Sequence, residues 1–312
     1  MYRTYLPEGM LSKTQSNAQY LSSLTALEDA FTNHVTLEAV AALCDRNHNL
    51  ILDLGDFRGT IPREECALGI ASGQTRDIAI ISRVGKPVCF KIQDIDYTAD
   101  PPEFSLSRVA AQKEALSFFL QNLFPGKIIP AMITHLDHFG AFVDIGCGVV
   151  SLIGIENISV SRIFHPSERF HEGQQIYAVV SQIDEQTNRI FLTHKELLGT
   201  WEENAGEFYC GETVTGIVRS VEDYGIFIEL TPNLSGLAEY RSDVAPGQSV
   251  SVYIKSIIPE KMKIKLAVID VITPPESPSR ELRYRFTGDS IQNWIYSPSC
   301  CASKYIHTQF CE

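Results

Sequence analysis

The chain has 312 residues, of which 44% are hydrophobic and 21% charged, and this composition is typical of folded domains rather than of a disordered chain. Its length is sufficient for two or three small domains. The formal net charge of −12 argues against a protein that attracts polyanions through its overall field, so any binding of nucleic acid would depend on local basic clusters and base stacking.

The amino-terminal sequence and the hydropathy pattern predict a cytoplasmic protein with no membrane partner. Residues 1–7 contain no basic segment followed by an apolar core, which a signal peptide would have. No run approaches the roughly 20 apolar residues of a membrane helix. The eight cysteines include no Cys-x-x-Cys pair, which favours buried thiols in a reducing compartment.

The first part of the chain is predicted to contain a helical segment followed by a degenerate barrel. Residues 1–34 form the helical segment, with a helix around Leu24 to Phe31. Residues 35–110 contain five short β-type runs, and these are expected at residues 36–40, 49–55, 58–62, 85–92 and 104–106. Residues 47–50 (Asn-His-Asn-Leu) stand where two later copies carry aromatic rings, so this copy is predicted to be structural or protein-binding.

Residues 111–125 are predicted to be a helical linker. Apolar residues recur at near-helical spacing from Ser107 to Leu123, and the pattern ends at a Pro-Gly pair. A second helical connector is expected from Lys195 to Phe208, and residues 199–210 are assigned as the linker between the next two barrels.

An internal repeat organises residues 126–198 and 211–271. The motif aromatic-Gly-x-Phe occurs at residues 139–142 and again at 224–227, at the same distance from the glycine that opens each copy. The second copy is 11 residues shorter, and the whole deficit lies between the third and fourth predicted strands, where a loop can absorb it. The two segments are therefore predicted to share one fold.

Each copy shows five short strands without a crossover helix, which is typical of a small closed barrel of the OB type. The predicted fold is all-β dominated, with three tandem five-stranded OB-type barrels joined by short helices, a short N-terminal helix and a C-terminal tail at residues 272–312. The proline-rich residues 274–278 indicate a linker within this tail. Trp294 and Tyr296 are expected to anchor the rest of the tail as a cap on the last barrel.

Both similar copies carry a pair of aromatic residues around a glycine. Single-stranded RNA is bound by flat side chains on which bases stack, so the candidate RNA-binding residues are Phe139, Phe142, Tyr224 and Phe227. His138 is a further candidate for stacking or for a bond to phosphate. The alternative is that one ring of each pair belongs to the barrel core.

Basic residues are concentrated on the last strand of each copy. A period-two alternation at residues 189–192 and 263–266 is expected to point isoleucine and leucine inward and the cations outward. The candidate phosphate-binding residues are Arg189, Lys195, Arg219, Lys255, Lys261, Lys263 and Lys265. The alternative is a solvated charged face, which is common on barrel surfaces.

No metal or other cofactor is predicted. Five of the eight histidines lie in the middle copy, but they have no partners at zinc-ligand spacing. The adjacent Cys300 and Cys301, with His307 and Cys311, are poor joint ligands for a tetrahedral site. A Gly-rich phosphate loop, a nucleophile elbow and a paired-histidine motif are also missing, so neither an enzyme nor a small-molecule substrate is predicted.

Residues 126–198 and 211–268 resemble the S-one (S1) RNA-binding domain, and residues 36–110 look like a diverged copy. The resemblance rests on the aromatic-Gly-Ala-Phe-Val run at 139–143, on Gly173-Gln174, and on residues 189–195. The order of the three copies resembles S1-like proteins of low-GC Gram-positive bacteria.

This resemblance implies a nucleic-acid face built from two aromatic residues after strand one, a histidine after strand three and an Asp…Arg pair before strand five. In the middle copy, Phe139 and Phe142 match the aromatic residues, Asp184 and Arg189 match the pair, and Gly154 replaces the histidine. In the last copy, the residues that match are Tyr224, Phe227 and Lys263, whereas Glu239 and Ile258 replace the histidine and the aspartate.

The sequence thus predicts a protein that binds single-stranded RNA, mRNA or rRNA, in translation or mRNA handling, with the ribosome as a further partner. The alternative is a protein-interaction scaffold that docks on a ribosome or a polymerase and has little RNA affinity of its own. The negative net charge and the first copy without aromatic pairs favour this alternative.

Overall fold

The computed structural model describes residues 5–272 and 282–310. The proline-rich linker predicted at residues 274–278 and Cys311 lie outside the described residues. The helices α1 to α5 are Gln15–Tyr20, Leu24–Thr32, Ile78–Ile81, Arg108–Asn122 and Trp201–Ala205. The strands β1 to β5 are Leu37–Cys44, Leu50–Asp53, Arg58–Ile61, Pro87–Asp96 and Glu103–Ser107.

The remaining strands follow in two groups of five and one pair. Strands β6 to β10 are Ile128–Asp137, Gly140–Asp144, Val150–Gly154, Gln175–Asp184 and Arg189–Thr193. Strands β11 to β15 are Thr213–Glu222, Gly225–Thr231, Leu234–Ala238, Ser249–Ile258 and Lys263–Ile272. Strands β16 and β17 are Asn293–Ile295 and His307–Gln309.

Each group of five strands closes into a barrel. The first barrel has the strand order β1-β2-β3-β5-β4, and the third has the equivalent order β11-β12-β13-β15-β14. The middle barrel is ordered β10-β8-β7-β6-β9, which is the same cyclic order read in the opposite direction. In each barrel the third and fifth strands pair in parallel. The prediction of a mainly β chain with closed five-stranded barrels is confirmed.

Alternation of side chains explains the core of the first barrel. Leu50 and Leu52 on β2 are fully buried, whereas the residues after each of them are more accessible. Helix α2 contributes Leu27 and Ala30 to the same apolar cluster. The helix expected around Leu24 to Phe31 is therefore present and packs against this barrel.

The third barrel follows the same rule and is extended by the C-terminal residues. Val250, Val252 and Ile254 on β14 alternate inward and are fully buried. Trp294 and Tyr296 belong to the same apolar cluster, and they are 6% and 4% exposed. The C-terminal segment therefore adds two large rings to the third barrel's core.

The helical connectors differ from one another. The helix expected from Ser107 to Leu123 is present as α4, whose N-cap Ser107 accepts a hydrogen bond from the Ala110 backbone N–H. The second helical connector, expected from Lys195 to Phe208, is helical only in part. A short 3₁₀ turn at Lys195–Leu198 ends at Gly199, whose φ is +86°, and Thr200 then caps the separate helix α5.

The chain divides into two compact units. The first contains residues 1–123, 130–132 and 143–151, and the second contains residues 124–129, 133–142 and 152–312. Within the described ranges, no helix combines the length and the apolar character that a membrane crossing requires. Four of the seven described cysteines are buried, and these are Cys66, Cys89, Cys147 and Cys301.

Candidate nucleic-acid interface

The aromatic pair of the third barrel flanks the turn between β11 and β12. Tyr224 is 71% exposed, and Phe227 lies half-buried beside it. Their ring centroids are 6.1 Å apart and the rings are nearly perpendicular, at 86°. One ring of the pair is thus free to stack with a base, while the other supports it from the barrel surface.

The middle barrel repeats this arrangement. Phe139 is 43% exposed and Phe142 is half-buried, with ring centroids 5.7 Å apart at an angle of 89°. The His135 ring lies nearly parallel to Phe142 at 6.3 Å, and the exposed His138 ring contacts Phe139 edge-on at 5.3 Å. Four flat side chains therefore share this surface, two more than the aromatic motif alone indicates.

A glycine between the two rings is required by the neighbouring strand. A Cβ atom on Gly140 would lie 2.4 Å from the Ile153 carbonyl oxygen, and one on Gly225 would lie 2.5 Å from the Ala238 carbonyl oxygen. Both carbonyls belong to the third strand of their barrel. The hairpin that carries the rings is therefore held close to that strand, and only glycine fits at this position.

Asp184 and Arg189 face each other across the β9–β10 hairpin. Asp184 accepts hydrogen bonds from the Thr187 hydroxyl at 2.6 Å and from the backbone N–H groups of Gln186 and Thr187. The bonds from Thr187 hold the pKa of the Asp184 carboxyl below its usual value. Asp184 thus shapes the turn, while Arg189 is exposed and has no ion-pair partner among the described residues.

The predicted cations of the third barrel differ in availability. Lys263 and Lys265 on β15 are exposed, whereas their neighbours Ile264 and Leu266 are buried. Lys255 is exposed but forms an ion pair with Glu239, with 2.8 Å between Nζ and Oε1. Two of these lysines are therefore available to a phosphate, and the third is already neutralised.

Lys195 of the middle barrel is committed to a contact within the protein. Its Nζ donates a hydrogen bond of 2.8 Å to Oδ1 of Asn157, and the side chain is half-buried. Lys195 is therefore less available to bind phosphate on the outer surface of the barrel than the alternation predicted.

Arg219 is the clearest correction to the predicted site. Its side chain is buried and forms ion pairs with Glu229, at 2.7 Å from Nε to Oε2, and with Glu168. The β11–β12 register shifts between Val218 and Ser220, so Arg219 is the extra residue of a β-bulge and departs from the alternation. It is not available to bind phosphate.

A groove of about 810 Å³ lies beside the aromatic pair of the third barrel. Tyr224, Phe227, Lys261 and Lys263 line one part of it, as expected for a binding face. Three further lining residues were missed by the sequence reasoning, and these are Arg162, Phe164 and Lys304. These three residues lie outside the repeated motif. The one signal in the sequence is their residue type, since an aromatic ring and two cations are the groups that bind RNA.

His194 is a structural residue of the middle barrel. Its ring is fully buried, and Nδ1 lies 3.0 Å from the Ile158 carbonyl oxygen. Burial lowers its pKa to about 4, so the imidazole is neutral at physiological pH. In the described ranges, no group of three or more His, Cys, Asp and Glu side chains has the arrangement of a metal site.

Comparison with known proteins identifies relatives over most of the chain. The family model described as S1 RNA binding domain matches residues 122–195, which contain the middle barrel. The chain is 28% identical over 276 residues to the small ribosomal subunit protein bS1 of Staphylococcus aureus, covering 83% of this chain and 67% of that protein. It is 28% identical over 293 residues to the bS1 homolog of Bacillus cereus, covering 90% and 71%.

A solved multidomain protein with nucleic acid binding domains from Streptococcus pneumoniae is similar over 75% of this chain and 73% of its own. The TM-score is 0.25 and the sequence identity is 13%. The resemblance to the S1 domain that the sequence motifs indicated is confirmed by the family and the bS1 relatives.

Proposed function

Because the chain carries an S1 RNA-binding domain and is related to bacterial ribosomal proteins bS1, we propose that it is a non-enzymatic, cytoplasmic RNA-binding protein that acts in translation. The ligand class is single-stranded RNA, either mRNA or rRNA, and the ribosome is a further partner. The relatives support the RNA-binding role, and the side chains of the barrels support the single-stranded ligand.

One observation supports single-stranded RNA as the ligand. In the middle and third barrels, an exposed aromatic ring stands on the same barrel as a cation without an ion-pair partner among the described residues, namely Phe139 with Arg189 and Tyr224 with Lys263. Stacked bases are accessible to such rings only when the strand is unpaired, and every base offers a π-face. This arrangement favours an unpaired strand without strong sequence preference.

We infer that all three barrels are tandem modules of the OB type, since they have equivalent strand orders. The first barrel differs at the turn after β1, where Asn47 and Leu50 stand in place of the ring pair. RNA stacking is therefore assigned to the middle and third barrels, and the first barrel has another role.

The ring pairs provide the direct test. Phe139→Ala and Tyr224→Ala each remove an exposed ring, and each is expected to weaken binding of a short fluorescent single-stranded RNA at least about fivefold, since stacking contributes about 1–3 kcal/mol per base. Fluorescence anisotropy measures the affinity. Tyr209→Ala is the matched control, because Tyr209 is 70% exposed but belongs to neither pair. Unchanged affinity in both ring variants would contradict the proposal.

A docking function for the first barrel is supported by its surface. Val40, Leu43, Ile78 and Ile81 are between 45% and 66% exposed, although all four are apolar. Patches of exposed apolar side chains are typical of protein-binding sites. A pull-down from lysate that survives nuclease treatment and is lost in Ile78→Lys would support ribosome or polymerase docking through this barrel.

A further inference from the structure

The groove beside the third barrel has a second wall that does not belong to the third barrel. This wall is the loop at residues 160–164, which follows β8 of the middle barrel. Phe164 in this loop is 62% exposed and lines the same groove as Tyr224. Arg162 is exposed in the same loop. The groove is therefore lined by side chains from the third barrel, from this loop of the middle barrel, and from Trp201, Tyr296 and Lys304.

Hydrogen bonds hold this loop against the third barrel. The backbone N–H of Val160 donates to Oδ1 of Asn233 at 2.9 Å, and that of Ser161 donates to the Pro232 carbonyl oxygen at 3.0 Å. The hydroxyls of Ser161 and Ser235 are 2.8 Å apart. Because backbone groups make two of these contacts, the position of the wall does not depend on a long flexible side chain.

Buried ion pairs reinforce the same junction. Glu229 on β12 is fully buried and is bound by both Arg169, from the middle barrel, and Arg219, from β11. Removing Glu229 would leave the buried Arg169 guanidinium without an ion-pair partner among the described residues, which is strongly destabilising. The wall is thus preorganised, and a ligand need not order it on binding.

The groove has the charge and the rings for a polyanion with flat groups. Four of its lining cations have no ion-pair partner among the described residues, and these are Arg162, Lys261, Lys263 and Lys304. Glu222 also lines the groove, and its carboxylate has no ion-pair partner among the described residues. The net charge of the groove lining is therefore positive, although the net charge of the whole chain is −12. A volume of about 810 Å³ is within the range of about 300–1,000 Å³ that holds a drug-sized ligand.

We infer that the 160–164 loop completes the binding surface of the third barrel, so that one RNA segment lies between the two barrels. Phe164 stacks on a base from the side opposite the ring pair, while Arg162 and Lys304 contact phosphates. This inference rests on the proposed RNA-binding function. It makes the pair of barrels, and not the single barrel, the binding unit.

The test uses the full chain with Phe139→Ala as background, so that binding reports mainly on the third barrel. Phe164→Ala is expected to weaken binding of fluorescent oligouridine at least about fivefold in anisotropy, as for the loss of one stacked base. Arg162→Gln and Lys304→Gln are each expected to reduce the slope of log K against log salt by about 0.7, the value for one phosphate contact on a single strand. Tyr209→Ala and Arg46→Gln are the controls, since both residues are exposed and outside the groove.

The outcomes separate this inference from the proposed function. If Tyr224→Ala weakens binding but the Phe164, Arg162 and Lys304 variants do not, the third barrel binds RNA alone and the inference is wrong, while the function stands. If neither Tyr224→Ala nor these three variants change binding, the third barrel has no RNA site and both proposals fail for it.

Photocrosslinking checks the wall without relying on a substitution. RNA that contains 4-thiouridine is irradiated with the unaltered protein, and the crosslinked peptides are identified by mass spectrometry. Adducts on peptides containing Phe164 and Tyr224 are expected. Adducts on the Tyr224 peptide alone would overturn the inference.

Discussion

At the residue scale, the exposed rings of the candidate interface depend on two glycines. The aromatic-Gly-x-Phe spacing brings one ring to the surface and leaves the second half-buried, in both the middle and the third barrel. Neither Gly140 nor Gly225 has room for a side chain, because a backbone carbonyl of the next strand fills the space. The rings and the glycine therefore form one local unit.

Gly140→Ala and Gly225→Ala are accordingly expected to destabilise the second unit by about 1–3 kcal/mol, the usual cost of overpacking against atoms that cannot move away. Urea unfolding measures the change in the free energy of unfolding. Gly154→Ala is the control, because its Cβ would meet only the flexible Glu156 carboxylate. An equal loss in all three variants would show that the close approach of the strands is not the cause.

Among the charged residues, exposure was easier to predict than pairing. The alternation on β15 correctly placed Lys263 and Lys265 outside. Arg219 was misplaced because a β-bulge is a property of two paired strands, and its own strand gives no sign of it. Lys255 was assigned the correct exposure, but its partner Glu239 lies on another part of the barrel and is not evident from sequence spacing.

At the element scale, β10 is followed by a buried histidine that links the middle barrel to the segment after residue 282. His194 follows Thr193 directly, and its Nε2 lies 3.4 Å from the Tyr284 hydroxyl. Phe170 and Tyr284 both contact the ring edge-on, at centroid distances of 5.0 and 5.6 Å. The ring is therefore packed as a neutral group in a mainly apolar site.

This packing predicts a pH dependence of stability. Burial lowers the pKa of His194 to about 4, against 6.5 for the free side chain. Between these values the unfolded chain binds a proton and the folded chain does not, so the free energy of unfolding falls as the pH decreases from about 6.5 to about 4. The loss reaches about 3 kcal/mol at the lower limit.

Urea unfolding followed by tryptophan fluorescence measures this effect, since Trp201 and Trp294 are both buried in the second unit. His194→Gln is expected to be less stable at pH 7 and to lose this part of the pH dependence. The exposed His171→Gln is expected to keep it. If His194→Gln retains the full dependence, another group is responsible.

At the scale of the whole molecule, the net charge of −12 means that RNA is attracted only by local clusters. Six exposed cations without an ion-pair partner among the described residues lie on the middle and third barrels or in the groove, and these are Arg162, Arg189, Lys261, Lys263, Lys265 and Lys304. Each phosphate contact to a single strand contributes about 0.7 to the salt slope of binding.

The slope of log K against log salt is therefore expected to lie between about −1.4, for two contacts, and about −4, for all six. Anisotropy titrations at several salt concentrations measure it. A slope near zero would contradict phosphate binding by these side chains. A slope steeper than about −5 would require phosphate contacts from cations other than these six.

The sequence by itself determined the strands, the repeat and the identity of the rings. These features depend on local patterns, namely the period-two alternation and the glycine-centred motif. Both patterns repeat in register, and neither requires knowledge of the tertiary contacts. The tertiary structure decided which cations are free and which side chains meet in the groove. Arg162 and Phe164 are far from Tyr224 in the chain, and the hydrogen bonds and buried ion pairs that join the two barrels bring them to the groove, which Lys304 of the C-terminal segment also lines.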